Sequence, residues 1–252
     1  MTQIEMMEHP RKIRGFCGAL FILNERSCLR MNLTPRLQAA AELCRGARRV
    51  IDVGCDHAHL CVELVQRGAE RAYASDIREG PLQRARETIA RCGMEEVVET
   101  VLCDGLHGFA PDMADAIVIC GMGGDTICHI LEEAPWALSG RQLLVLQPMT
   151  RAETLRRFLA RHGCVIEQER LAREWDRLYC VMAARGGHAP YEVENGGLFS
   201  DAMRQELLFS QYLGRQAERC RVALEGRRLA GLDGGEVQKM LAILQREEHH
   251  AT

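Results

Sequence analysis

The chain has 252 residues, 47% of them hydrophobic and 27% charged, with a net charge of −3. This is long enough for one domain with a substantial core plus an appendage, and too apolar for disorder to be the default. The charge offers no global attraction to nucleic acid, so any RNA or DNA contact has to come from a local basic face built from arginine, since Lys12 and Lys239 are the lysines.

Twelve cysteines scattered through apolar positions, without clustered spacing or a secretory signal, point to reduced thiols in a cytoplasmic protein. No apolar run approaches the ~20 residues of a membrane span. Residues 1–30 show no clean period and read as a disordered N-terminal extension upstream of Met31. Thr34 and Pro35 then form a helix start, and Leu37, Ala40, Ala41 and Leu43 share one helical face.

Residues 49–53 read as a strand that runs into Gly54, and a helix follows to about residue 67. A glycine at that junction lets backbone approach a ligand, and the next helix aims unpaired N–H groups at it. Residues 72–75 form a second strand closed by Asp76, followed by a helix over 81–92. A third strand over 97–102 ends in Cys103-Asp104-Gly105, and a fourth over 116–120 ends in Gly121-Met122-Gly123-Gly124, with a helix over 125–133. The fifth strand, 143–146, leads through Gln147-Pro148 to a helix over 151–162.

Strand and helix alternating at this spacing predict a parallel sheet covered on both faces, with ligands at the carboxyl ends of the strands. Two further strands, 164–170 and 177–184, are joined too tightly for a crossover helix and should be antiparallel. The glycine-rich residues 185–197 read as a linker. Beyond it, residues 198–228 and 235–246 carry apolar residues at helical spacing and predict an antiparallel helical hairpin. The domains expected are therefore 31–187 and a helical, coiled-coil-like 188–252.

Asp76 stands 24 residues after Asp52 and closes the second strand, where a carboxylate accepts both hydroxyl hydrogens of an adenosine ribose. Asp104 with Gly105 suits the adenine amino group and ring. Asp52, Asp76 and Asp104 together fit S-adenosylmethionine better than a dinucleotide, because a pyrophosphate is usually cradled by several glycines and one follows the first strand. Cys55, His57, His59 and Cys61 alternate, but on a helix alternate residues diverge, so no metal site is expected. Asp56 and His57 face the methionine end of the cofactor or the acceptor. Gly121, Gly123 and Gly124 let a flat base lie against backbone beside Met122.

These residues resemble a known family, the bacterial tRNA adenine-22 N1-methyltransferases. The resemblance rests on Arg36-Leu37, on residues 52–60 (Asp-Val-Gly-Cys-Asp-His-Ala-His-Leu), on Ala74-Ser75-Asp76-Ile77, Gly80-Pro81-Leu82, Cys103-Asp104-Gly105-Leu106, Gly121-Met122-Gly123-Gly124 and Leu146-Gln147-Pro148. It extends weakly to Pro190-Tyr191-Glu192 and the helical tail, and departs at His59, where the family carries tyrosine.

It implies an α/β, Rossmann-like class I S-adenosylmethionine-dependent methyltransferase fold with a mostly parallel seven-stranded sheet and a C-terminal helical hairpin. It also implies methylation of adenine N1 in the D-arm region of tRNA. The cofactor set is then Asp52, Gly54, Cys55, His57, Asp76, Ile77, Asp104, Gly105, Gly121, Met122 and Gly123. Asp56 is the catalytic candidate with Asp125 in reserve, and Arg151, Arg156, Arg157, Arg215 and Arg219 are candidates for substrate phosphates. Two other readings stand beside this one: a small-molecule methyltransferase with a dimerising tail, and a non-catalytic protein that senses the cofactor. A monomer or weak dimer without a membrane or metal partner is expected.

Overall fold

A computed structural model describes residues 31–193 and 195–250, so the expected disordered extension, residues 1–30, lies outside the described residues. Helix α1 (Pro35–Leu43) starts where Thr34 and Pro35 place it, although the Thr34 side chain makes no capping hydrogen bond. Five strands then run parallel: β1 (Arg49–Val53), β2 (Arg71–Asp76), β3 (Val98–Leu102), β4 (Ala116–Gly123) and β5 (Leu143–Thr150). Between them lie α2 (His59–Gln66), α3 (Glu79–Cys92) and α4 (Gly124–Glu132), and α5 (Ala152–Arg161) follows β5. The hairpin of β6 (Val165–Glu174) and β7 (Arg177–Arg185) completes one seven-stranded sheet in the order β3-β2-β1-β4-β5-β7-β6, with β7 antiparallel to both neighbours. Strand order reverses between β1 and β4, the switch point at which open α/β sheets bind ligands.

Alternation along each strand feeds two cores. Ile51, Val53, Ile117, Ile119, Leu144 and Leu146 face α4, α5 and the C-terminal helices. Val50, Val118 and Val145 face α1 and α2, while Ala72 and Ala74 pack with Leu82, Ala85 and Ile89 of α3.

Two expectations need correction. Strand β4 does not stop at Cys120: Met122 and Gly123 still pair with Pro148 and Thr150 of β5, with register shifts on either side of Met122. The glycines are strand backbone carried forward by their neighbour, and α4 begins at Gly124. The first C-terminal helix also starts later than its apolar spacing indicates. Helix α6 spans Phe209–Leu229, because Leu198, Phe199 and Met203 turn inward and join the sheet core through an irregular stretch with a short 3-10 turn at Ala202–Gln205.

Helix α7 (Gly235–His250) folds back along α6, with Leu224 against Gly234 and Glu248 against Gly214. The glycine-rich stretch before them is a packed strap. Tyr191 donates its N–H to the Ala160 carbonyl at 3.1 Å and its hydroxyl to the Cys164 carbonyl at 3.2 Å. A Cβ at Gly186 would collide with the Leu138 carbonyl.

Candidate active site

The carboxyl tips of β1, β2 and β3 are tied by backbone. Gly54 and Cys55 both donate N–H to the Ser75 carbonyl, at 2.8 and 2.9 Å, and Cys103 donates to the Asp76 carbonyl at 3.2 Å. Gly54 has φ +75°, and a Cβ there would strike Met122 Cε, so the tips of β1 and β4 also touch. Helix α2 starts at His59, a few residues after Gly54, as the apolar spacing from Leu60 indicates. Residues 55–58 form a loop in which Asp56 and Ala58 are left-handed, at φ 50° and 56°.

This loop brings the His57 and His59 rings to 5.4 Å, where continuous helix would have parted them, and turns Cys55 into the core that Cys61 enters from α2. Among the described residues no group of three or more His, Cys, Asp or Glu converges as a metal site.

Asp52 is buried under α2, with the Cys61 thiol donating to Oδ2 at 3.6 Å. Burial raises its carboxyl from 3.8 to about 7, with the Cys61 hydrogen bond working against the rise and the Asp76 charge adding to it. Between those values the folded chain holds a proton that the unfolded chain has released. The Asp52 contribution to stability is therefore full below about pH 4 and is lost as pH rises through about 7. Asp52→Asn is expected to flatten that part of the pH profile of the urea midpoint; an unchanged slope would contradict the assignment.

Asp76 is buried at the end of β2, its Oδ1 accepting the Arg78 N–H at 3.0 Å. On either side stand large apolar side chains left bare: Ile77 is 60% exposed, and Leu102, the register partner of Asp76 on β3, is 58% exposed. A carboxylate between two uncovered apolar groups fits an adenosine, whose ribose needs an acceptor and whose ring needs a dry face. Asp104 is exposed one strand further on, beside Gly105 at φ +53°.

Asp56 lies on the β1–α2 loop with its carboxylate turned to α3, where Arg84 Nη2 donates at 3.1 Å and His57 Nδ1 lies at 2.8 Å. Partial burial raises this carboxyl, but the hydrogen bonds from Arg84 and His57 outweigh it and hold it below its ordinary value. Asp125, in the first turn of α4, pairs with Arg151 at 3.1 Å.

On the β5 side, Gln147 is fully buried, and its Oε1 accepts both the Gly121 N–H at 3.0 Å and Arg36 Nη1 at 3.2 Å. The Arg36 backbone N–H donates to Glu174 Oε1 at 2.9 Å, and Arg36 Nε lies 3.4 Å from Glu174 Oε2. Its guanidinium also sits 5.7 Å from the Tyr179 ring centre. One arginine thus joins α1, the tip of β4 and the end of β6. Arg36 and Gln147 belong to the motifs quoted above, but local sequence gives them no role; Glu174 and Tyr179 carry no local signal.

Of the arginines expected to meet phosphate, Arg156 is a correction. It is 2% exposed, its Nη2 binds Glu169 Oε1 at 2.6 Å, and its Nη1 donates to the Gly197 and Leu198 carbonyls at 2.9 and 3.0 Å. Buried and committed in this way, it cannot reach RNA. Arg157 is half-buried and holds the Gly196 carbonyl at 2.9 Å. Arg215 and Arg219 are exposed on α6 and line, with Arg177, a cleft of about 660 Å³ at the β6–β7 turn. Arg151, Arg177 and Arg219 line an adjoining cleft of about 510 Å³ between the end of β5 and the helical hairpin.

A family model described as a methyltransferase domain matches residues 33–182. The chain is 34% identical over 158 residues to the tRNA (adenine(22)-N(1))-methyltransferase of Bacillus subtilis strain 168, a match covering 62% of this chain and 66%, just under two thirds, of that protein. A Streptococcus pneumoniae crystal structure, described as a putative tRNA (m1A22) methyltransferase in complex with S-adenosyl-L-methionine, superposes with TM-score 0.75 at 30% identity, covering 86% of this chain and 100% of that one. The B. subtilis m1A22 tRNA methyltransferase crystal structure gives TM-score 0.71 at 27% identity over 88% and 97% of the two chains. The chain belongs to the methyltransferase-domain family and, within it, to the bacterial tRNA (adenine-22-N1)-methyltransferases.

Proposed function

We propose that this protein transfers the methyl group of S-adenosylmethionine to N1 of adenine 22 in the D-arm region of tRNA, acting in the cytoplasm. The observation that carries the reading is the join of four strand tips: a carboxylate flanked by bare apolar groups at β2 and β3, and a glycine strand end at β4, in contact through Met122 and Gly54. When bound, the cofactor supplies an electrophilic methyl on a sulfonium. The chain's own work is then to place the acceptor.

Neutral adenine N1 already carries a lone pair, so no strong base is required, and alignment supplies most of the acceleration. Asp76 is positioned for the ribose hydroxyls, Ile77 and Leu102 for the adenosine ring, and Asp104 with Gly105 for the adenine edge. Gly121 and Gly123, on either side of Met122, bare the backbone at the end of β4 as a flat wall for the target base, and Gln147 fixes its orientation by holding the Gly121 N–H. The target base has to leave its stack to reach that wall.

Methylation turns the base into a cation, and a carboxylate near it lowers the barrier as that charge develops. We assign this role to Asp56, which Arg84 and His57 keep ionised. Asp56→Ala is expected to lower kcat by about 100-fold, the scale of one lost electrostatic stabiliser, and to change cofactor affinity less than twofold. Equal losses in both would move Asp56 to cofactor binding and leave Asp125 as the charge partner. The function itself is tested by nucleoside mass spectrometry of tRNA from a deletion strain. N1-methyladenosine at position 22 should vanish and return with the gene; its persistence would refute the reading and favour a small-molecule acceptor.

A further inference from the structure

Strand β6 runs parallel to β5, so the β6–β7 turn lies on the same edge of the sheet as the carboxyl tips that form the site. Glu174 pairs with Arg177 across it, leaving Trp175 and Asp176 as a two-residue turn. Trp175 is 97% exposed, and its backbone is left-handed at φ 56°. Both facts run against the usual preference: a bulky ring belongs in a core, and a tight hairpin turn with positive φ normally takes glycine, asparagine or aspartate. Strain kept at a solvent-exposed aromatic calls for a use outside the fold.

The surroundings say what that use is. Glu174, next to Trp175, is held by Arg36, which also binds the Gln147 oxygen that fixes Gly121. The turn is therefore held in a set position relative to the β4 tip. On the other flank, Arg173 binds Gln211 of α6. Asp176 and Arg177 line the cleft that contains Arg215 and Arg219, and those two arginines form no ion pair among the described residues. Glu218, also in that cleft, is already paired with Arg221 at 3.0 Å. An exposed ring on a held turn, adjoining in sequence the Asp176 and Arg177 of a cleft with uncommitted guanidinium groups, suits a nucleobase with its phosphate, a combination that single-stranded nucleic-acid sites use repeatedly.

We propose that Trp175 is a base-stacking anchor for the tRNA, taking an unstacked base near the methylated adenine while Arg177, Arg215 and Arg219 take the neighbouring phosphates. The proposal rests on tRNA being the substrate. The anchor is a positioning device: it holds the RNA so that the target base stays at β4, and it touches neither the methyl group nor the target.

The test uses the full-length chain carrying Trp136→Phe, which leaves Trp175 as the sole tryptophan, titrated with an unmodified tRNA transcript. The transcript should quench Trp175 emission. In steady-state methylation, Trp175→Ala should raise the KM for tRNA about tenfold while kcat and cofactor affinity change less than twofold; Trp175→Phe should restore most of the loss. A merely structural role would move kcat and thermal stability together with KM. Unaltered emission on tRNA binding, with KM within twofold in Trp175→Ala, would overturn the anchor while wild-type methylation of the same transcript upholds the reaction. A dimer in sedimentation equilibrium that disappears in Trp175→Ala would also overturn it, assigning the ring to a second copy of the chain. Quenching by tRNA without any methyl transfer by the wild-type protein would refute the reaction and overturn the positioning role with it, leaving Trp175 as an RNA contact alone.

Discussion

Replacing Glu169 with alanine is expected to lower the thermal midpoint by about 10 °C, the largest loss of stability from any single change considered. Glu169 is fully buried; one of its oxygens binds Arg156 at 2.6 Å and the other accepts the Ser200 hydroxyl at 2.5 Å. Arg156 carries a charge that burial disfavours and Glu169 restores, and without the partner it is left in the core. An uncompensated buried charge costs roughly 3–5 kcal/mol, and each kcal/mol moves the midpoint of a chain this size by roughly 2–4 °C.

The same cluster holds the Gly197 and Leu198 carbonyls, and Tyr212 of α6 donates to Leu198 at 3.1 Å, so it fastens the strap and tail to the sheet. Weakened tRNA binding should therefore accompany the loss, ahead of any change in cofactor affinity. Differential scanning calorimetry measures the midpoint. In a double-mutant cycle Glu169→Ala and Arg156→Ala should cost clearly less together than the sum of the two. A shift under 3 °C would mean that the pair is not the fastening described here.

Asp76→Ala is expected to weaken S-adenosylmethionine binding by about 100-fold, read by calorimetry, with tRNA affinity unchanged. A carboxylate that accepts two ribose hydroxyls makes charge-assisted bonds worth about 1.5–3 kcal/mol each; the loss of about 3 kcal/mol corresponds to that factor. Circular dichroism should show an intact fold, because the Asp76 carboxylate accepts its hydrogen bond locally, from the Arg78 N–H, and the backbone bonds of Asp76 are kept in the variant. Equal affinity in the variant and the wild type would place the ribose elsewhere.

The sheet was legible because its signals are local. Each parallel strand is a short apolar run closed by a polar or glycine residue, and those closing residues are the ones assigned to the proposed site. Gly54 and Asp76 could be placed at strand ends from their positions alone, whereas Asp52 lies one residue inside the end of β1, buried under α2. What depends on distant partners was not legible. Arg156 stands on α5 at a spacing that reads as a solvated face, and its partner Glu169 lies on β6, so only the folded core distinguishes it from a surface arginine. Glycines at 121 and 123 look like a loop until Met122 and Gly123 are seen paired with β5 and the Gly121 N–H is seen held by the Gln147 side chain. Arg36 and Glu174 lie 138 positions apart, and no local pattern joins them. Trp175 reads as an ordinary hairpin residue; its importance appears once the turn is seen on the carboxyl edge, strained and bare.

The central claim is that four strand tips present one methyl donor to one adenine. Its most direct test is transfer of labelled methyl from S-adenosylmethionine by the purified protein to an unmodified tRNA transcript, beside a transcript in which adenine 22 is replaced by guanine. One methyl group per tRNA, recovered as N1-methyladenosine, with none on the replaced transcript, is the predicted result. Equal labelling of both transcripts, or no labelling by protein shown to bind the cofactor, would contradict it.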